Sequence, residues 1–125
     1  MTAPAVFQKK ERVVSQKLID ELFDGGHSHS MAAFPLRVIF MHTEHQEGQP
    51  PVQVLISVPK KRFHHAVDRN RVKRQLREAY RHQKDLLPED QSLALAFIWQ
   101  TDRCLPSAEV DSRMKSLLER IARKI

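Results

Sequence analysis

The chain lacks most of what would let it carry chemistry alone. It has one cysteine, Cys104, in 125 residues, so no intrachain disulfide can form. A lone cysteine anchors no zinc site, and none of the seven histidines (pairs at 27/29, 42/45 and 64/65, and His82) has metal-ligand spacing to it. Three glycines form no phosphate-cradling loop, and no nucleophile elbow is present. No apolar run approaches the ~18 residues of a membrane span. The opening MTAPAVFQKKERVV has no signal-peptide core, so a cytoplasmic protein is expected. Acidic residues are scarce in one place only. Of 21 Lys+Arg and 15 Asp+Glu, residues 60–84 hold ten bases against two acids, Asp68 and Glu78. The remainder, 11 bases against 13 acids, is slightly negative. The net charge of +6 therefore belongs to one segment, the distribution of a dedicated polyanion site rather than of a generally basic protein.

What is present is globular: 41% hydrophobic, 29% charged, with no repeat, low-complexity tract or linker. One domain over residues 1–125 is expected. Residues 1–14 contain Pro4 and no helical period and are expected to be extended. Ser15 is placed as N-cap of a helix in which Leu18, Ile19, Leu22 and Phe23 recur at helical spacing, ended by Gly25-Gly26. HSHSM, 27–31, reads as a polar connector. AAFPLRVIFMH, 32–42, reads as a strand, with Pro35 implying an edge position or a bend. TEHQEGQPP follows as a loop.

VQVLISV, 52–58, is the clearest strand, with Val52, Val54, Ile56 and Val58 on one face and Pro59 closing it. KKRFHH leads to a helix over 66–84, ended near Pro88. SLALAFIW, 92–99, is a second buried strand, its large residues Leu93, Leu95, Phe97 and Trp99 opposite Ala94, Ala96 and Ile98. Ser107 is placed as the cap of a last helix with the stripe Val110, Met114, Leu117, Leu118, Ile121 and Ile125. Strand, helix and strand in succession imply a crossover unit on a small sheet.

The central helix carries two arcs. At about 100° per residue from Arg69, the residues Lys73, Arg77, Asn70, Arg81 and Arg74 fall within roughly the next 140°. Val72, Leu76, Ala79 and Tyr80 fall between roughly 280° and 20°, and Arg71 and Glu78 lie beyond the basic arc near 180–200°. The basic arc thus holds five cations and one amide with no acid inside it. Like charges four apart (69/73, 73/77, 77/81) each cost a few tenths of a kcal/mol. Phosphate would relieve that repulsion, and the planar arginine fork suits phosphate better than lysine does.

RNRVKRQLRE, 69–78, resembles the Arg-Asn-Arg signature of the bacterial ribonuclease P protein component, the protein subunit of a ribozyme. LISVPKK (55–61) resembles that family's strand and double lysine. Phe7 and Arg12 in FQKKERVV resemble its N-terminal pair, and LFDGG (22–26) the end of its first helix. The resemblance runs from about residue 7 to 122. It implies an α+β single-domain α-β-β-β-α-β-α sandwich, like domain 2 of ribosomal protein S5, in which the bent segment 29–42 would be two strands, with a left-handed βαβ crossover, where the general rule is right-handed.

The resemblance also implies a function. Ribonuclease P is an endoribonuclease that removes the 5′ leader from precursor tRNA. The large RNA holds the active site and most of the Mg2+, and the protein supplies no catalytic residue and binds no cofactor of its own. The protein binds that RNA near the catalytic centre, holds the leader in a cleft between the central helix and the sheet, and promotes metal binding. One protein copy per RNA is expected. By the match, Arg69, Arg71, Lys73, Arg74 and Arg77 contact the RNA, extended by Lys60, Lys61 and Arg12. Asn70 either caps the helix start or contacts RNA or a hydrated magnesium ion. The leader cleft is expected to use Ile19, where the family commonly has Phe, Phe34, which keeps an aromatic, and Arg37. Leu55 stands where the family has a glycine.

Overall fold

The computed structural model describes residues 16–24, 26, 28–43, 52–88 and 92–124. The expected extended segment 1–14, the Ser15 cap, Arg12 and Ile125 lie outside them.

The alternation in residues 93–99 organises the molecule. They form β4 (Leu93–Trp99), with Leu93, Leu95, Phe97 and Trp99 on one face and Ala94 and Ala96 on the other, all fully buried. A strand apolar on both faces needs cover on both. Its flanks in the sheet are β2 (Leu36–His42), antiparallel, and β3 (Val52–Ser57), parallel. A fourth strand, β1 (His29–Ala33), pairs antiparallel with the far side of β2, giving the order β1-β2-β4-β3. HSHSM is therefore not a connector: residues 29–31 open an edge strand. The segment 29–42, one bent strand by its pattern and two by the family's strand count, is two strands broken by the turn at Phe34-Pro35. Pro35 sits in that turn because it has no N–H for a ladder. β2 is an interior strand.

The large side chains of β2 and β4, with Val54 of β3, face α2 (Ala66–Gln83) and α3 (Ser107–Lys124). Val72, Leu76, Ala79 and Tyr80 of α2 are buried there, as are Val110, Met114, Leu117, Leu118 and Ile121 of α3. Tyr80 meets Phe97 edge-on, ring centroids 6.1 Å apart. The opposite face is covered by α1 (Gln16–Asp24), whose Leu22 is buried on Met41, Ala94 and Ala96, with Ile39 and Leu55 alongside. Past α1, Gly26 takes φ 74°, the left-handed conformation glycine adopts without penalty.

Ser107 is not the cap of α3 but its first residue. The Pro106 carbonyl accepts from the Glu109 and Val110 amides, and the Ser107 hydroxyl accepts from Gln75 instead. On the outer edge of the sheet, Arg120 of α3 donates to the Ala32 carbonyl (2.8 Å) and Arg113 to that of Phe34 (3.0 Å). Arg120 thereby occupies an acceptor that the edge strand would otherwise offer to another chain, and Arg113 holds the turn that follows it.

Candidate nucleic-acid interface

The parallel pairing of β3 and β4 sends the chain back across the sheet through α2, so α2 begins at the end where β3 finishes. Val58 is buried and Pro59 ends the ladder. A 3-10 turn at Lys60–Arg62 follows, with both lysines exposed, and Phe63 packs against the core. His65 is the N-cap residue of α2 with no side-chain cap bond; the Arg69 amide bonds the His65 carbonyl. His64 and His65 are exposed.

The apolar arc of α2 is seated in the core, so its basic arc faces outward. Asn70, Arg71 and Arg74 are exposed, and Arg69, Lys73 and Arg77 are half-buried. Arg71 and Arg74 make no ion pair among the described residues. The arc is crowded: partial burial, then the neighbouring charges of Arg69, Arg77 and Lys60, lower the Lys73 pKa from the ordinary 10.5. That coupling joins Lys60 to the helix surface in one cluster. Arg69 lies against the protein so that its Nε is buried without a hydrogen-bond partner among the described residues.

Two expectations for α2 need correction. Asn70 caps nothing at the helix start, because the helix opens at Ala66 and Asn70 lies in its second turn, exposed. The arc is also not free of acid. Glu78 accepts from Arg81 at 2.7 Å, and Arg81 reaches the His82 Nε2 at 2.8 Å. An i,i+3 pair brings that carboxylate to the arc from beyond it. The hydrogen bond to Arg81 holds the Glu78 carboxyl below its ordinary range.

The space expected to be a cleft between the central helix and the sheet is instead solid core, filled by Val72, Leu76, Ala79 and Tyr80. The residues assigned to that cleft stand elsewhere. Arg37 is on the opposite, α1-facing side of the sheet, half-exposed, and its Nε donates to Ser30 Oγ at 2.7 Å. Ile19 is half-buried on α1, one turn before Leu22 on the same side. Phe34, at the β1–β2 turn, is 68% exposed and has no core role.

Strand register shows what surrounds Arg37. Ala32, Arg37, Ile98 and Ser57 form one row across the sheet on the α1 side. Leu22 of α1 closes over the next rows, on Ala96 and Ala94, and this end row stays partly open: Arg37, Ile98 and Ser57 are half-exposed. At about 5 Å per strand, Arg37 lies about 10 Å from Ser57, and Ser57 is three residues before Lys60. The open row and the basic helix face thus meet at Lys60 and Lys61. Ile98 and Ser57 were not picked out from the sequence; only the register of β3 on β4 assigns them.

Among the described residues, no three His, Cys, Asp or Glu side chains converge as a metal site.

Comparison with known proteins identifies the family. The family model described as Ribonuclease P matches residues 7–122. The chain is 40% identical over 130 residues to a ribonuclease P protein component of Porphyromonas gingivalis, covering 98% of this chain and 92% of that one. It is 40% identical over 82 residues to one of Chlorobium phaeobacteroides, covering 64% and 55%. In fold it is similar to the RNase P protein from Thermotoga maritima (TM-score 0.67, 22% identity, 87% and 97% covered). It is likewise similar to the RNase P protein of Staphylococcus aureus (TM-score 0.70, 20% identity, 89% and 94% covered). With α+β architecture, a family model matching residues 7–122 and 40% identity across 98% of the chain to the Porphyromonas gingivalis protein, the chain belongs to the ribonuclease P protein family.

Proposed function

We propose that this chain is the RNA-binding subunit of a ribonuclease P holoenzyme that removes the 5′ leader of precursor tRNA. The outward arc of α2 binds the catalytic RNA through Arg69, Asn70, Arg71, Lys73, Arg74 and Arg77, extended by Lys60, Lys61 and Arg12. The RNA carries the chemistry and holds the Mg2+; the protein places charge beside it, promotes metal binding, and assembles as one copy per RNA. The observation that carries this reading is the outward basic arc of α2, where exposed Asn70, Arg71 and Arg74 lie beside half-buried Arg69, Lys73 and Arg77 opposite the helix's buried apolar arc. Polyphosphate backbone relieves the crowding of that arc and supplies counterion-release energy. The leader lies on the open row of Arg37, Ile98 and Ser57, with Ile19 and Phe34 at its rim. This is the half-exposed part of the sheet nearest the motif, and it has the basic and apolar character a single strand needs.

Reconstitution with a bacterial ribonuclease P RNA at low Mg2+ tests the proposal. The protein restores leader cleavage, and the protein alone cleaves nothing. Absence of stimulation with folded protein in excess overturns it, and RNA-free cleavage moves the chemistry to the protein.

A further inference from the structure

Gln75 is the one buried polar residue among those described, 9% exposed, and it lies in the middle of the signature RNRVKRQLRE. On the α2 wheel it falls at roughly 240°, behind the basic arc. Its Nε2 donates to the Leu105 carbonyl at 2.9 Å and to Ser107 Oγ at 3.1 Å. Its Oε1 is buried and has no partner.

The anchor it grips is itself fixed. The buried Trp99 indole donates to the Arg103 carbonyl at 3.1 Å. Cys104 Sγ lies 3.9 Å from the Asp68 carbonyl at the start of α2. Pro106 opens α3 by accepting from the amides of Glu109 and Val110. A second glutamine, Gln83, ties the far end of α2 to the Asp111 carbonyl at 2.9 Å.

Apolar contact is non-directional and lets a helix roll in its seat. Hydrogen bonds to fixed acceptors do not. At a helix radius of about 5–6 Å, a roll of about 20° moves side-chain tips by about 2 Å, enough to lose a phosphate contact. Such a roll moves every cation of the arc together, Arg71 and Arg74 among them.

We infer that Gln75 is a positioning residue for RNA binding: it fixes the roll of α2 against the Leu105–Ser107 segment and so sets which cations reach the phosphates together. This rests on the reading of α2 as the RNA interface. A buried, half-satisfied amide is a poor stabiliser, since the unpaired Oε1 offsets the bonds its amide nitrogen makes. The side chain is therefore better accounted for by orientation than by stability.

The test is Gln75→Met, which keeps length and approximate volume but no donor, measured beside Ser107→Ala and the double variant Arg71→Ala with Arg74→Ala. Each is titrated against ribonuclease P RNA over a salt series, at a temperature where circular dichroism shows it fully folded. Gln75→Met is expected to melt at or above wild type. Its salt slope is shallower by about 0.7–1.8, one to two phosphates, with affinity about 4–30-fold lower at 0.15 M salt. Ser107→Ala falls between. A wild-type slope in folded Gln75→Met, whatever its melting point, overturns the inference. If Arg71→Ala with Arg74→Ala also keeps the wild-type slope, the interface reading fails; if it does not, only the role of Gln75 fails.

Discussion

Replacing Arg71 and Arg74 with alanine separates binding charge from folding. Both side chains are exposed and make no ion pair among the described residues, so neither contributes to the core. Alanine also has the higher helix propensity. The stability change is therefore expected to stay within about 0.5 kcal/mol, the range of surface substitutions. Binding should respond strongly. If the arc neutralises ~5 phosphates, log K falls by roughly 3.5–4.5 per decade of salt at 0.7–0.9 per phosphate. Two lost phosphates take about 1.4–1.8 from that slope, and at 0.15 M salt this counterion contribution alone is a loss of about 15–30-fold. Fluorescence anisotropy of labelled ribonuclease P RNA over a salt series gives slope and affinity together; a chemical melt gives the stability. An unchanged slope refutes the reasoning even if affinity falls, because the two guanidinium groups would then not be meeting phosphates. A melt lowered by several kcal/mol refutes it from the other side, showing that they hold the fold.

Glu78→Gln removes the acid that holds Arg81 and is expected to steepen the slope by about 0.8 and tighten binding by about fivefold at 0.15 M salt; no change would place Arg81 off the RNA. Lys73 bears on pH. Its pKa in the free protein lies below 10.5, and a bound phosphate raises it again, so binding takes up a proton as pH approaches that lowered value. Affinity should fall as pH rises through it, and Lys73→Arg, which keeps its charge, should flatten that part of the profile; identical profiles in an anisotropy titration would exclude Lys73 from the contact. Leu76→Ala, at 0% exposure beneath the arc, should cost about 2–5 kcal/mol in a denaturant melt. A smaller loss would mean that α2 is not seated as described.

What the sequence made legible was whatever periodicity alone determines. Leu93, Leu95, Phe97 and Trp99 alternate with alanines, so β4 was readable with its faces assigned, and the stripe from Val110 to Ile121 gave α3 in the same way. The wheel of α2 separated Val72, Leu76, Ala79 and Tyr80 from the basic arc because burial of one side follows directly from 3.6-residue spacing. What failed involved partners distant in sequence. β1 is short, half-polar and at an edge, so His29, Ser30 and Met31 carry no alternation strong enough to distinguish a strand from a connector. Ser107 looked like a cap because that is the commonest use of serine before a helix; its hydroxyl is claimed by Gln75, 32 residues earlier. Arg37, Ile98 and Ser57 are adjacent only through two strand registers, which no local pattern specifies.

The layering explains how so small a chain presents two distinct surfaces. One face of the sheet is packed by α2 and α3, whose buried apolar residues fill the space beneath α2 and leave its charged side outward. Among the described residues, the other face is covered by the nine residues of α1. Leu22 reaches Met41, Ala94 and Ala96, but Arg37, Ile98 and Ser57 remain partly open. The polar members of that row suit its exposure: Arg37 is held by Ser30, and the position beside β4 is filled by Ser57 rather than another valine. β3 then leaves the sheet at this same end, and three residues later delivers Lys60 to the charge cluster of α2. Under the proposed function, a leader on the open row and a ribonuclease P RNA on the helix would therefore meet at one corner of the protein, the arrangement that proposal requires.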